Sequence, residues 1–287
     1  MKILHSDNTL QTNDSRNMIE MNPFSKVIRL SKKFTLFALL GLSYVFLSYN
    51  YFGGWWHSSI GTIAILTFSF FIWGNDFLGQ TGLKMKPIII LKSLVAAIIL
   101  TVVTYLIMKY IADKEEILIK FTNWKSYYHG VFYVLNEEII LGAMPLILLV
   151  QKWKLKPIIA SVILALLFSV IHFVFYKWLF NDRGIIQVAT LITLFFVGII
   201  RNNLIIQTGH IGYSWALHFG WMAVMFGSAH QYVSDHLRVS EPDRFNIYLG
   251  SYELLIISGI LVGLSIIYLM KNGTVHNSGS TKPSATI

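Results

Sequence analysis

Long apolar runs alternate with short polar segments along most of the chain. A helix that crosses the hydrocarbon core of a bilayer needs about 17–25 mostly apolar residues, and eight segments meet this condition. They lie at residues 34–53, 58–75, 90–111, 131–151, 157–180, 185–203, 204–227 and 249–270. The pattern predicts an all-α fold, a polytopic membrane helix bundle with about eight transmembrane helices.

The same pattern divides the chain into three regions. Residues 1–33 are polar and predict a cytoplasmic N-terminal tail, residues 34–270 form the eight-helix transmembrane domain, and residues 271–287 predict a disordered C-terminal tail rich in Gly, Ser and Thr. Only the polar residues 201–203 separate the sixth and seventh predicted helices. The segment 113–129 mixes apolar and charged residues, which predicts an interfacial helix on the outer face.

Composition agrees with a membrane protein. Of the 287 residues, 55% are hydrophobic and only 13% are charged, and the mean hydropathy is +0.59. Cysteine is absent, which excludes disulfides, a thiolate nucleophile and a cysteine-based metal site. The net charge of +9 arises from Lys and Arg at the ends of the spans, so we expect contacts with anionic lipid headgroups and none with nucleic acid.

The distribution of basic residues predicts the orientation of the helices. With a cytoplasmic N-terminus, 15 of the 23 Lys and Arg residues lie in inside segments and 8 lie in outside segments. The positive-inside rule therefore favours a cytoplasmic location for both termini. The reverse orientation follows if the first apolar run does not span the membrane, and it would leave Lys152, Lys154 and Lys156 outside.

Four ionisable residues lie deep inside predicted spans. Glu137 and Glu138 are on the fourth helix, His172 is on the fifth and His218 is on the seventh. At ~1.5 Å per residue, all four lie about 10–13 Å below the outer boundary. A carboxylate in lipid needs a partner, so we expect these side chains to converge around one water-accessible cavity. Because neighbouring residues on a helix point about 100° apart, we expect one glutamate to face the cavity and the other to orient a neighbour.

Two further ionisable residues have simpler interpretations. His210 is interpreted as a packed, hydrogen-bonding residue that holds helices together. Glu253 lies near the outer end of the last span, where its carboxylate can reach water.

Three short motifs carry a resemblance to a known family. EEIIL at 137–141, FSVIH at 168–172 and HFGWM at 218–222 resemble the ordered motifs EExxxR, FxxxH and Hxxx(N/D) of the CPBP intramembrane proteases. That family includes the type II CAAX prenyl endopeptidases and the bacterial Abi or bacteriocin self-immunity proteins. The resemblance covers roughly residues 125–227, the protease-like core.

The chain departs from the family pattern at two positions. Gly142 stands where the pattern has Arg, and Met222 stands where it has Asn or Asp. Met222 cannot donate a strong hydrogen bond. Ser214 lies four residues before His218 and on the same helix face, so its hydroxyl is a candidate substitute for oxyanion binding or support.

The resemblance implies an intramembrane endopeptidase that hydrolyses a peptide bond with an activated water. In this interpretation Glu137 is the general base, His172 holds the water, His218 stabilises the oxyanion and Glu138 supports the geometry. Participation of a divalent metal stays open, because two His and one Glu form an adequate zinc set and the family is often described as metalloproteases. If a metal is present, its ligands would be His172, His218 and Glu137.

Other functions remain open alongside the protease. The chain lacks HExxH and an intramembrane GxGD pair, and no loop between the predicted spans carries a GxSx nucleophile motif, which excludes three other intramembrane protease classes. A catalytically inactive scaffold or immunity protein is one alternative, and a channel or transporter with a proton relay is another. We expect an integral protein of the bacterial inner (plasma) membrane that acts on a peptide or a membrane protein.

Overall fold

The computed structural model describes residues 32–33, 35–37, 39–41, 43, 54–174 and 187–272. The isolated positions between 32 and 43 are helical. Most of the first predicted span, 34–53, and both predicted tails lie outside the described residues, apart from residues 32–33 and residues 271–272 at the end of the last helix. The described helices are α1 (His57–Trp73), α2 (Phe77–Gln80), α3 (Pro87–Lys114), α4 (Trp124–Lys152), α5 (Pro157–Val174), α6 (Val188–Thr208), α7 (Gly212–Met225), α8 (Glu241–Arg244) and α9 (Tyr252–Asn272). Two strands, β1 (Ile117–Phe121) and β2 (Ser228–Tyr232), complete the fold.

The predicted helical membrane bundle is confirmed. Five described segments are long and apolar enough to cross a membrane: α1 together with α2, then α3, α4, α6 and α9. The apolar helix α5 is shorter, and α7 has 14 residues. The total of eight spans stays a prediction.

The predicted boundary between the sixth and seventh helices is wrong. Arg201, Asn202 and Asn203 lie inside the continuous helix α6, and all three are buried. The helix ends instead at Gly209, which has φ 72°, a left-handed conformation that glycine adopts without strain. Hydropathy treats every side chain as facing lipid, whereas these three face other helices.

The predicted interfacial helix at 113–129 is also wrong. Helix α3 runs to Lys114, and residues 117–121 then form strand β1. This strand pairs antiparallel with β2, in a register from Ile117 opposite Tyr232 to Phe121 opposite Ser228. The alternating pattern of buried and exposed positions in ILIKF is typical of a strand.

Small residues let the helices pack closely. Helix α3 packs against α7, α5 against α6, α6 against α9 and α1 against α4. A Cβ atom on Gly220 of α7 would lie 2.8 Å from the Cβ of Leu100 of α3, and one on Gly198 of α6 would lie 2.9 Å from the Cα of Ala165 of α5. Such contacts are typical of helix interfaces in membranes, where close backbone approach provides the packing energy.

The outward faces of α3 and α9 are apolar, as expected for helices in lipid. Ile98 and Leu106 of α3 and Ile256 and Ile267 of α9 are all exposed. At one end of the bundle the ammonium group of Lys114 lies 2.6 Å from the carboxylate of Glu253, and both side chains are partly exposed. This pair agrees with the interfacial position expected for Glu253.

Candidate active site

Glu137 and Glu138 lie where the backbone geometry of α4 changes. The helix is α-helical from Trp124 to Glu137 and π-helical from Glu138 to Ala143. Wider π-helical turns occur frequently at functional sites. The two carboxylates have different surroundings, since the side chain of Glu137 is 18% exposed and that of Glu138 is fully buried.

His218, near the middle of α7, lies between the two carboxylates. Its Nδ1 donates a hydrogen bond of 3.0 Å to Oε1 of Glu138, because an ionised carboxylate can only accept. Its Nε2 lies 3.5 Å from Oε2 of Glu137. The Glu138 contact fixes the orientation of the ring and presents Nε2 to Glu137.

His172 of α5 is oriented by its own helix. Its Nδ1 donates to the backbone carbonyl of Phe168, one turn earlier, at 2.7 Å. In the neutral ring this leaves Nε2 as a hydrogen-bond acceptor. The centroid of the Phe168 ring lies 4.6 Å from that of His172 and 6.2 Å from that of His218, so Phe168 packs between the two histidines.

Arg201 of α6 belongs to the same cluster, although it was predicted to lie in a loop and not in the site. The side chain is 1% exposed, and its Nη1 lies 3.5 Å from Oε1 of Glu138. Its Nη2 donates to the carbonyl of Leu141 at 2.8 Å, and the guanidinium carbon lies 4.3 Å from the centroid of Phe168. One feature of the sequence could have identified it. The EExxxR pattern has arginine at position 142, but this chain has Gly142, so the intramembrane glutamate needs a cation from another position.

The cluster borders a cavity of about 800 Å³. Glu137, His172 and His218 line it, whereas Glu138 and Arg201 do not. Most of the remaining lining is apolar or aromatic and comes from α3, α4, α5, α6, α7 and α9. The lining also includes Trp55, Asn123 and Lys125, which lie near the start of α4. Among the apolar and aromatic lining residues are Leu100, Val103, Ile107, Tyr127, Leu194, Val197 and Trp221.

Three other residues singled out from the sequence have different positions. Ser214 is fully buried and does not line the cavity; its hydroxyl donates to the Ile211 carbonyl at 2.9 Å, and its side chain also interacts with the carboxylate of Glu138. Met222 does line it. His210 is buried in the turn between α6 and α7, where its Nδ1 accepts from the backbone N–H of Gly212 at 3.2 Å.

Asn136 anchors α4 immediately before the glutamate pair. Its Nδ2 donates to the carbonyl of Ser58 at 3.0 Å, and its Oδ1 accepts from the hydroxyl of Thr62 at 2.7 Å, both on α1. Asn136 also lines the cavity. Asn136 was not among the predicted site residues, although an amide next to two intramembrane glutamates is itself a signal of a polar site.

The candidate metal ligands do not form a metal site in this geometry. Among the residues that the structure describes, no group of three or more His, Asp or Glu side chains is placed to hold a metal ion. His218 directs one ring nitrogen to each carboxylate, and His172 uses Nδ1 for a backbone carbonyl. The set of His172, His218 and Glu137 therefore does not fit zinc as arranged, and no catalytic step is assigned to a metal.

Glutamate and histidine side chains thus gather beside a mainly apolar cavity in a helical membrane bundle. Residues 120–224 match the family model described as "Type II CAAX prenyl endopeptidase Rce1-like". The resemblance indicated by the three motifs is thus confirmed over this region, and the match supports a CAAX-type intramembrane protease function. No curated protein and no solved structure is significantly similar to the chain.

Proposed function

We propose that this protein is an intramembrane endopeptidase that hydrolyses a peptide bond with a water activated by Glu137 and His172. The observation that carries the proposal is that Glu137, His172 and His218 line one cavity while His218 contacts both glutamates. Peptide hydrolysis needs a base, a positioned water and an oxyanion stabiliser at one point. These three side chains supply the corresponding groups.

The proposed mechanism begins with a water between Glu137 and His172. The water donates a hydrogen bond to Nε2 of His172 and keeps that hydrogen. The carboxylate of Glu137 removes the other proton as the oxygen attacks the peptide carbonyl carbon. The new C–O bond forms a tetrahedral oxyanion, which Nε2–H of His218 stabilises. Glu137 then returns the proton to the leaving nitrogen as the C–N bond breaks, so water is the only reagent consumed.

The charges around His218 suit this role. With His218 protonated, the two carboxylates are balanced by His218 and by Arg201. A buried group of charges is tolerable when its members are paired in this way. Glu138 holds Nδ1–H of His218 and leaves Nε2–H directed at the reaction centre. Ser214 stays on the support side of this arrangement, because it is buried outside the cavity lining.

The cavity favours an apolar substrate segment. Its walls are mainly apolar and aromatic, and an extended peptide with a lipid or an apolar side chain would displace water from them. A peptide or membrane-protein substrate that enters from the bilayer is therefore proposed, in the bacterial inner membrane. The prenylated CAAX tail named in the family description is the first probe to test.

The decisive experiment uses purified protein in liposomes with a farnesylated CAAX-type peptide and a mixture of unmodified transmembrane peptides. Mass spectrometry should detect a cleaved product with wild-type protein and none with Glu137→Ala. Glu253→Gln is the matched control, because that carboxylate pairs with Lys114 outside the cavity lining. Equal cleavage by wild type and Glu137→Ala would refute the assignment of the base.

Met222 favours one alternative, an inactive family member that acts as a scaffold or immunity protein. It lines the cavity where the family motif supplies an amide or a carboxylate, and it offers no hydrogen-bond donor. The absence of one oxyanion donor lowers rates by about 10²–10³ in other enzymes. Comparing the membrane proteomes of cells with wild-type protein and with Glu137→Ala separates the two functions: a processed peptide found only with wild type supports the protease, whereas a biological activity that survives the substitution supports the scaffold.

A further inference from the structure

Arg201 is the cation beside the buried carboxylate of Glu138. The two side chains come from different helices, α6 and α4, and are 1% and 0% exposed. An ionised carboxylate buried in a membrane protein needs a counter-charge, and removing one partner of a buried pair strongly destabilises the other. Arg201 is held in place by the Leu141 carbonyl and the face of Phe168.

Gly142 leaves the space that Arg201 occupies. A Cβ atom on Gly142 would lie 3.5 Å from Oε2 of Glu138 and 4.0 Å from the guanidinium carbon of Arg201. A side chain at position 142 would therefore extend into the region between the same two groups. The atom nearest to this Cβ would be the flexible end of the Ile205 side chain, at 3.1 Å. Position 142 is the one at which the EExxxR pattern has arginine.

We propose that Arg201, from α6, is the cationic partner of Glu138 in place of the arginine that the EExxxR pattern has at position 142 of α4. In this arrangement Arg201 pairs with the buried carboxylate of Glu138, and this carboxylate accepts Nδ1–H of His218 and so orients the ring toward Glu137. Arg201 does not line the cavity, so it is a positioning residue that acts through Glu138 and His218. The inference rests on the proposed protease function for its kinetic consequences.

The first test is a charge removal followed by a relocation. Arg201→Met keeps a long stem without the guanidinium, and we expect kcat to fall about 10–100-fold, as for other groups that orient an active-site histidine, with KM unchanged. Adding Gly142→Arg to Arg201→Met returns a guanidinium to the same region and should recover at least tenfold of the lost kcat. Gly142→Arg alone should lower activity, because two guanidinium groups then compete for one site.

Arg244 provides a matched control. It is also a buried arginine, but its Nη1 donates to the Met225 carbonyl at 2.6 Å and its guanidinium faces Phe226. Adding Gly142→Arg to Arg244→Met should recover nothing. Folding of every variant is checked by melting temperature and by elution volume. A folded double variant Gly142→Arg/Arg201→Met that is no more active than Arg201→Met would overturn the relocation.

A spectroscopic measurement separates this inference from the protease proposal. With ¹⁵N-labelled histidine, the Nδ1 signal of His218 should report a protonated, hydrogen-bonded nitrogen in wild type, a changed state in Arg201→Met and recovery in the double variant. This readout needs no substrate. If wild type cleaves nothing but the signal follows this pattern, the relocation stands and the protease proposal fails. A signal unchanged by Arg201→Met overturns the relocation whatever the activity.

Discussion

The Nδ1 atom of His218 lies 3.0 Å from Oε1 of Glu138, a carboxylate with no exposed surface one residue after the cavity-lining Glu137. Two adjacent glutamates therefore reach opposite nitrogens of one imidazole. The sequence expectation that one glutamate faces the cavity while its neighbour orients another group agrees with this geometry. It also means that the two carboxylates should differ sharply when each is replaced.

Replacing Glu137 or His172 should abolish cleavage without preventing membrane insertion. Glu137→Gln removes the base and His172→Ala removes the acceptor for the water, and the loss of such groups lowers rates by about 10²–10⁴. Less polar side chains enter a bilayer more easily, so membrane yield should not fall. Cleavage rates and the amount of protein in the membrane fraction measure both effects. Activity near that of wild type in either variant would require another mechanism.

Glu138→Gln should retain more activity than Glu137→Gln. The amide oxygen of glutamine can still accept Nδ1–H of His218, but Arg201 then lies buried beside a neutral group. We expect kcat to fall about 10–100-fold and the melting temperature to drop, because an uncompensated buried charge is strongly destabilising. Parallel kinetics and thermal melts on both variants test the order. If Glu138→Gln were the more severe of the two in kcat, the roles of the glutamates would have to be exchanged.

The gathering of three polar residues at one cavity could be predicted from the sequence because the helix rise is constant. Glu137, His172 and His218 were expected in one layer, and they line one cavity. Arg201 could not be assigned in the same way, since its contacts come from Leu141, Phe168 and Glu138 on two other helices. An apolar window reports the average environment of a segment and not the partner of one side chain.

The pairing of β1 with β2 was missed for a related reason. The pairing of Ile117 with Tyr232 joins positions more than a hundred residues apart, and such a contact leaves no local trace apart from the alternation in β1.

The polar residues of α6 also have partners that are distant in the sequence. Asn202 donates to the Ser161 carbonyl and Asn203 to the Ser265 hydroxyl, each at 3.0 Å. These polar contacts between helices make α6 stable inside the bundle, although its sequence resembles a loop at that point.

Thr193→Val should raise the melting temperature and raise KM. Thr193 is fully buried and lines the cavity, and its hydroxyl has no hydrogen-bond partner among the described residues. An unsatisfied buried hydroxyl costs about 1–3 kcal/mol, and valine removes that cost at the same size. The higher KM follows if the hydroxyl binds the substrate backbone.

Thr190 is the control for this prediction. It is equally buried one turn earlier on α6, but its hydroxyl donates to Oδ1 of Asn246 at 3.2 Å. Thr190→Val should therefore lower the melting temperature. If both valine variants changed the melting temperature in the same direction, the unpaired state of the Thr193 hydroxyl would not be the cause.

The region around the two-stranded sheet should lose stability as the pH falls from about 6.5 to about 4. Burial, with nearby Arg244 and Arg238, lowers the pKa of His230 from 6.5 to about 4. In this pH window the unfolded chain binds a proton that the folded protein excludes, so acid favours unfolding. In the neutral ring Nδ1 accepts from the Tyr248 hydroxyl at 2.7 Å and Nε2 donates to the Val224 carbonyl at 3.2 Å. Melting temperatures between pH 7.5 and 4.5 should depend less on pH in His230→Gln than in wild type, and parallel curves would exclude this histidine as the cause.

The cavity should open on the non-cytoplasmic face of the membrane. Helix α4 is one continuous span, so Lys125 near its start and Lys154 just after its end lie on opposite sides. A basic cluster lies at this end of the span, with Lys152 as its last residue and Lys154 and Lys156 just after it, and the positive-inside rule places such a cluster in the cytoplasm. Lys125, which lines the cavity, is then outside. The placement of Arg201 inside α6 removes one basic residue from the inside loops but leaves this cluster unchanged.

Because the chain has no cysteine, Lys125→Cys and Lys154→Cys each introduce a single labelling site. A membrane-impermeant maleimide should label Lys125→Cys in intact cells and label Lys154→Cys only after permeabilisation. The reverse labelling pattern would turn the cavity toward the cytoplasm, and a cytosolic lipidated protein would then become the better substrate to test.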